Sequence, residues 1–134
     1  MDDYQLNMKR VYEKPDKEDG YRILVDRIWP RGVSKDKAAI NEWAKEITPT
    51  STIRKEFDHQ PQNRKEFDHQ PQKFEWFKQA YWTELTDNPR LEPFLIHVFE
   101  QLELTPVTFV YAAKDEEFNH VVVLMEYIKT IKAT

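Results

Sequence analysis

The chain has 134 residues, 24 acidic and 20 basic, with a formal charge of −4 and no cysteine. That length fits one domain, residues 1–134, able to bury a core unaided, and 40% hydrophobic residues exclude a disordered chain. The missing cysteines exclude disulfides, thiol catalysis and cysteine-held metal, and the acidic balance argues against a surface built to track nucleic-acid backbones.

In chain order, Leu6 to Tyr12 reads as a short strand and Lys14 to Gly20 as a charged turn. Tyr21 to Ile28 predicts a second strand, whose unbroken Ile23-Leu24-Val25 run suits burial on both faces. Pro30 and Gly32 stop it. Ser34 is placed to cap a helix running to about Glu46, with Ile40, Trp43, Ala44 and Ile47 as one apolar stripe. Thr48-Pro49-Thr50-Ser51 ends that helix and offers a cap for the next.

Phe74 to Leu85 is predicted helical from Phe74, Phe77, Tyr81 and Leu85. Asn88 and Pro89 read as N-cap and first residue of a further helix with Leu91, Phe94, Leu95, Val98, Phe99 and Leu102 on one face. Pro106 opens a strand from Val107 to Ala112. A final helix from near Asn119 to Lys132 aligns Val121, Leu124, Met125, Ile128 and Ile131. Apolar strands separated by helices predict an α/β fold: a small, mostly parallel sheet with helices packed on both faces.

Between these elements lies a direct repeat. Arg54 to Gln62 recurs without change as Arg64 to Gln72, a tandem duplication across residues 54–73. Each copy contains a proline, and ten residues leave two helical copies about 80° out of phase, so the unit cannot extend one helix face. Two copies are too few and too short for a solenoid. A metal site from Asp58, His59, Asp68 and His69 is the functional alternative, but spacing across a proline fixes no geometry. The expectation is that no metal binds there.

The chemistry concentrates at two strand exits, where ligands of open α/β sheets sit. The first supplies Asp26, Arg27, Trp29 and Arg31; the second supplies Lys114, Asp115, Asn119 and His120 beside a helix N-terminus. Arg27, Arg31 and Lys114 suit a phosphate or carboxylate, because an arginine presents a planar fork of donors. Trp29 would wall the cleft and Asn119 would orient the ligand. Asp26, Asp115 and His120 are the candidate acid/base groups should the site be catalytic. Each residue also has a plain structural reading: Asp26 with Arg27 as an ion pair, Asn119 as a helix cap, His120 as a buried histidine.

A small anionic molecule is the expected partner, and no cofactor is specified. A second reading takes Arg22, Arg27, Arg31, Lys35 and Lys37, which outnumber Asp26 and Asp36, as a basic patch for nucleic acid with Trp29 stacking. A third is an interaction protein without a ligand. No apolar run is long enough for a membrane span, and the acidic start at Asp2 and Asp3 does not resemble a signal peptide. Cytoplasmic residence is the expectation.

Lys9-Arg10-Val11-Tyr12 and Asp19 through Gly32 resemble the opening of the YeaO-like proteins, a bacterial branch of the DUF488 group. The resemblance continues through Ile53 to Phe57, His69-Gln70-Pro71, Phe77, Tyr81, Glu84 and Leu85, then Tyr111 to Asp115 and Asn119-His120. It implies a compact α/β domain and carries over no catalytic residues. Where the family pattern has one Arg-x-x-Phe-x-His-x-Pro unit, this chain has two.

Overall fold

In the computed structural model, residues 5–50, 52–53, 71–113 and 119–133 are described, with the backbone alone for 71–74 and 132–133. The chain divides into two compact units, Met1–Thr48 with Arg90–Lys114, and Pro49–Pro89 with Asp115–Thr134.

The first unit is built on a four-stranded, all-parallel sheet: β1 (Leu6–Arg10), β2 (Tyr21–Leu24), β3 (Glu42–Trp43) and β4 (Val107–Tyr111), in the order β1-β4-β2-β3. β4, last in sequence, lies at the centre between β1 and β2. Val107 pairs with both Leu6 and Tyr21, and Phe109 with both Met8 and Ile23. Central strands of a parallel sheet are covered on both faces, which demands the continuous apolar runs seen here. Ile23, Leu24, Val107, Phe109 and Val110 are all fully buried.

Side chains alternate between the two faces. Tyr21, Ile23, Val107 and Phe109 share one face, where α3 (Leu91–Leu102) packs Phe94 against Phe109 with ring centroids 6.1 Å apart. Leu24 and Val110 share the other, with α1 (Lys35–Ala38) and Val11; Trp29, Val33, Ile40, Trp43 and Ala112 complete that cluster.

The helix expected from Ser34 to Glu46 is one turn only. Ser34 caps it as predicted, accepting from the Lys37 N–H at 3.2 Å. Ala39 then enters the left-handed region at φ 52°, which ends the helix. The chain turns along the sheet edge: Asn41 Oδ1 accepts the Arg22 N–H, the Asn41 N–H donates to Arg22 O, and the Ala44 N–H donates to Leu24 O. A 3-10 turn, Lys45–Ile47, follows. α3 also starts later than expected: Arg90 is its N-cap, and the Asn88 N–H instead closes the preceding helix by donating to Leu85 O.

A buried charged network braces the entry to β2. Asp19 accepts from Arg22 Nη1 at 2.6 Å, from Lys9 Nζ at 3.2 Å and from the Asp16 N–H at 3.0 Å. Arg22 also donates to Ala38 O through Nε and Nη2, and the Thr108 hydroxyl donates to Asp19 O. Burial pushes the Asp19 carboxyl up, but the Asp16 N–H, Lys9 and Arg22 outweigh it and hold it below its ordinary value. Gly20 follows at φ 69°, and a Cβ there would run into Pro106 O. Only glycine allows the Tyr21 N–H to reach Pro106 O at 2.9 Å.

The second unit contains α2 (Pro71–Asp87) and α4 (His120–Ala133). Phe77, Tyr81 and Leu85 are buried at four-residue spacing, and Val121, Leu124, Met125 and Ile128 are buried at the i, i+3, i+4, i+7 positions of one helical face; Ile131, expected in the latter stripe, is exposed. The helices meet through Lys78 Nζ to Glu126 at 2.7 Å, Trp82 against Tyr127 at 4.8 Å, and Thr86 Oγ1 with the Tyr127 hydroxyl at 3.2 Å. Thr50 caps the short turn at Thr52–Ile53, accepting the Ile53 N–H, while its own N–H and hydroxyl donate to Glu84. No helix among the described residues is long and apolar enough to cross a membrane. The repeat, with its two histidines, lies outside the described residues apart from the backbone of residues 71–73, at the start of α2.

Candidate functional site

The first strand exit begins where the backbone ladder of β2 runs out. The Val25 N–H still donates to Val110 O at 3.0 Å. At the next position a side chain takes over: Asp26 Oδ2 accepts the Ala112 N–H at 2.9 Å. Its carbonyl accepts Trp43 Nε1 at 2.7 Å. Asp26 thus ties β2, β4 and β3 together, and it makes no ion pair with Arg27 among the described residues.

Trp29 packs beside it. Its Nε1 donates to Val33 O at 2.7 Å, closing the loop across Pro30 and Gly32, and its ring meets Trp43 edge-on at 5.4 Å. Lys45 Nζ stands 4.8 Å from the centre of the Trp43 ring, a cation–π contact. Both indoles lie over the Leu24–Val110 cluster, so Trp29 is part of the wall of the fold as well as of the exit.

The far side of the loop is held by β1. Arg10 donates to Ala113 O at 2.8 Å and to Ala112 O at 3.2 Å, satisfying carbonyls beyond the end of β4. Its guanidinium lies 5.2 Å over the Tyr12 ring, and the Tyr12 hydroxyl donates to Arg31 O at 3.2 Å. The ends of β1, β2 and β4 are therefore fastened to one another and to the 26–33 loop. What the loop presents outward is Arg27, Ile28 and Arg31; Ile28 is 78% exposed. Among the described residues neither arginine side chain has a partner.

Of the predicted site residues, Asp26, Arg27, Trp29 and Arg31 lie on one loop of the first unit. Arg10 joins them and was not singled out from the sequence, although it sits in the Lys9–Tyr12 motif; a basic residue at the last position of a strand was the available signal. Lys114 and Asp115 lie outside the described residues. Asn119 and His120 belong to the second unit. Asn119 is buried and caps α4, its Oδ1 accepting the Val122 N–H at 3.0 Å; His120, also buried, is the first residue of that helix.

The basic patch read from Arg22 to Lys37 is corrected at its first member. Arg22 is buried with Asp19 and faces the interior, leaving Arg27, Arg31, Lys35 and Lys37 exposed. Among the described residues, no three histidines or carboxylates converge as a metal site.

The sequence profile described as "Inactive DUF488-N3 subclade", DUF488-N3i, matches residues 5–133. The chain belongs to the DUF488-N3i family. It is 34% identical over 126 residues to the uncharacterized protein YeaO of Escherichia coli, covering 94% of this chain and 98% of that one. It is also 33% identical over 124 residues to the uncharacterized proteins Mb3100c of Mycobacterium bovis and Rv3073c of Mycobacterium tuberculosis, covering 92% of this chain and 93% of each relative. No solved structure matches significantly. The DUF488 membership agrees with the resemblance carried by the Asp19–Gly32 motif.

Proposed function

We propose that this DUF488-N3i protein is a binding module for a small anionic molecule bearing phosphate or carboxylate, held by Arg27 and Arg31. The observation that carries the reading is a contrast within one loop. Asp26 is held by Ala112 and Trp43, Trp29 and Val33 hold each other across the loop, and Tyr12 holds the Arg31 carbonyl, while the Arg27 and Arg31 guanidiniums are exposed and unpartnered among the described residues. A rigid backbone carrying free planar donors is preorganised for an oxyanion. Lys114, next in the sequence after Ala113, the carbonyl of which Arg10 holds, lies outside the described residues. Ile28 offers the ligand an apolar flank.

The description of the subclade as inactive favours binding over turnover. So does the engagement of Asp26, since the oxygen that takes the Ala112 N–H is occupied in the fold. The reading therefore assigns no acid/base step to Asp26, Asp115 or His120.

Calorimetric titration with inorganic phosphate, pyrophosphate and citrate tests it. Each charge-assisted arginine contact is worth about 1.5–3 kcal/mol, so Arg27→Ala and Arg31→Ala each weaken binding by roughly tenfold or more. Unchanged affinity in the double variant refutes the reading. Steeply salt-dependent binding of an oligonucleotide, with no small anion bound, transfers the loop to the nucleic-acid alternative. Silence in both assays leaves an interaction surface.

A further inference from the structure

A second cluster of polar side chains lies on the α3-covered face of the sheet. Tyr21 and Ile23 share that face, and Glu42 pairs in register with Ile23, so Glu42 stands beside Tyr21 at the β3 edge. α3 brings His97 to both, one residue before the buried Val98. His97 Nε2 lies 2.8 Å from Glu42 Oε1 and 3.3 Å from the Tyr21 hydroxyl, which donates to the same carboxylate oxygen at 2.9 Å. The imidazole meets the phenol edge-on, with centroids 5.6 Å apart.

We propose that Tyr21, Glu42 and His97 form a binding site for a single first-row divalent transition-metal ion of the zinc type. Three donor atoms, one imidazole nitrogen, one carboxylate oxygen and one phenol oxygen, already form a closed triangle. At a metal–ligand distance of about 2.1 Å, adjacent donors are about 3.0 Å apart in octahedral and about 3.4 Å apart in tetrahedral coordination. The observed sides of 2.8, 2.9 and 3.3 Å fall near that range. An ion about 2.1 Å from all three would stand only about 1.2 Å off their plane. It would occupy one face of the polyhedron and leave the other positions to water.

Access and ligand chemistry agree with this placement. The side chains of His97 and Glu42 are 37% and 26% exposed, so an ion enters without opening the core. Among the described residues, Glu42 Oε2 and His97 Nδ1 have no hydrogen-bond partner. Glu42 can therefore turn to bind through either oxygen or both. With its proton on Nδ1, the His97 ring offers the Nε2 lone pair to the ion. A mixed nitrogen and oxygen set suits zinc, nickel or copper in preference to calcium or magnesium, which take all-oxygen shells. The Tyr21 phenol, a neutral donor to Glu42, is the weakest of the three ligands.

The test is calorimetric titration of the full chain with zinc, and cobalt(II) absorption to report coordination. One ion is expected per chain. His97→Gln and Glu42→Gln each weaken it by at least about tenfold, since loss of a ligand costs no less than loss of an outer-shell partner, and Tyr21→Phe weakens it less. The double variant His59→Gln with His69→Gln retains the site. Circular dichroism confirms that each variant is folded. The proposal is overturned if zinc fails to bind at millimolar concentration, if His97→Gln and Glu42→Gln bind as wild type does, or if the His59/His69 variant abolishes binding.

Discussion

Asp19→Asn is the substitution whose cost follows most directly from the structure. The Arg22 side chain is 4% exposed and that of Asp19 is 11% exposed, so their 2.6 Å contact is a buried ion pair. Asparagine keeps the size of the side chain and one acceptor oxygen for the Asp16 N–H or for Arg22. It removes the charge that two cations share. Leaving a buried cation uncompensated costs about 3–5 kcal/mol, a large share of the roughly 5–15 kcal/mol that holds a domain folded. With a slope of about 1–3 kcal/mol per molar urea, the unfolding midpoint falls by roughly 2 M. Lys9→Met is the internal comparison: Lys9 is the outer cation, Arg22 remains on Asp19 without it, and its loss costs about 1 kcal/mol or less. Acid sharpens the test. Because the folded carboxyl is held below its ordinary 3.8, its stabilisation is present above that pH and drains away as pH falls through the lower folded value. Wild-type stability should therefore drop there, while Asp19→Asn lacks this component of the decline. Urea melts in which Asp19→Asn loses under about 1 kcal/mol, or matches Lys9→Met, refute the role given to the network.

The two glycines separate backbone strain from collision. Gly20→Ala meets Pro106 O and fails to give a folded, soluble chain, whereas Gly32→Ala, at φ 78° with open space around it, lowers stability in thermal melts by only about 1–2 kcal/mol. Asn119→Ala removes the cap of α4 and costs about 0.5–2 kcal/mol by urea unfolding; Asn119→Asp retains most of that cap. Alongside the buried Tyr81, whose phenol burial also pushes up, Tyr21 contributes to the alkaline limb. Its phenol is raised by burial and by Glu42 to about 12, so its contribution is intact below pH 10 and disappears as pH rises from 10 towards 12. Tyr21→Phe makes that limb shallower, and the phenolate absorbance it removes between pH 10 and 12 is the measure of the Tyr21 share.

β2 and β4 were legible because parallel central strands need apolar residues on both faces, and Ile23-Leu24-Val25 and Val107 to Tyr111 have them; β1, at the edge, was expected from Leu6 to Tyr12 and spans Leu6–Arg10. Their ends were less so. β2 was expected to continue to Ile28, yet its regular pairing stops at Leu24 and the Asp26 side chain replaces a backbone acceptor, a substitution invisible to periodicity. The stripe Ile40, Trp43, Ala44 and Ile47 predicted the wrong element for an understandable reason. Ala44 and Ile47 are buried and Trp43 is half-buried, but they are reached by a left-handed residue, a two-residue edge strand and a 3-10 turn. Helical spacing reports which residues turn inward, and several backbones satisfy it. Asn41, which pairs both of its groups with Arg22, decided the outcome and carries no hydrophobic signal.

For the candidate site the sequence named a location and left the roles of its residues open, and the arginines show why. Arg10, Arg22, Arg27 and Arg31 look alike in a sequence, and three of them lie in one basic run. Their roles depend on which acceptors the fold leaves over. β4 ends before Ala112 and Ala113, so those carbonyls take Arg10. The single turn of α1 ends at Ala38, so its carbonyl takes Arg22, with Asp19 completing the neutralisation. Once these needs are met, the described structure provides no acceptor for Arg27 or Arg31. A cation required by the fold should be replaceable only at a cost in stability, whereas one free for a ligand should be replaceable at a cost in binding alone. Arg27→Ala and Arg31→Ala should thus melt with wild type and lose phosphate or citrate, and Arg10→Ala and Arg22→Ala should lose stability first. The opposite pattern would assign the exit to architecture and leave the Tyr21–Glu42–His97 cluster as the better place to look for a ligand.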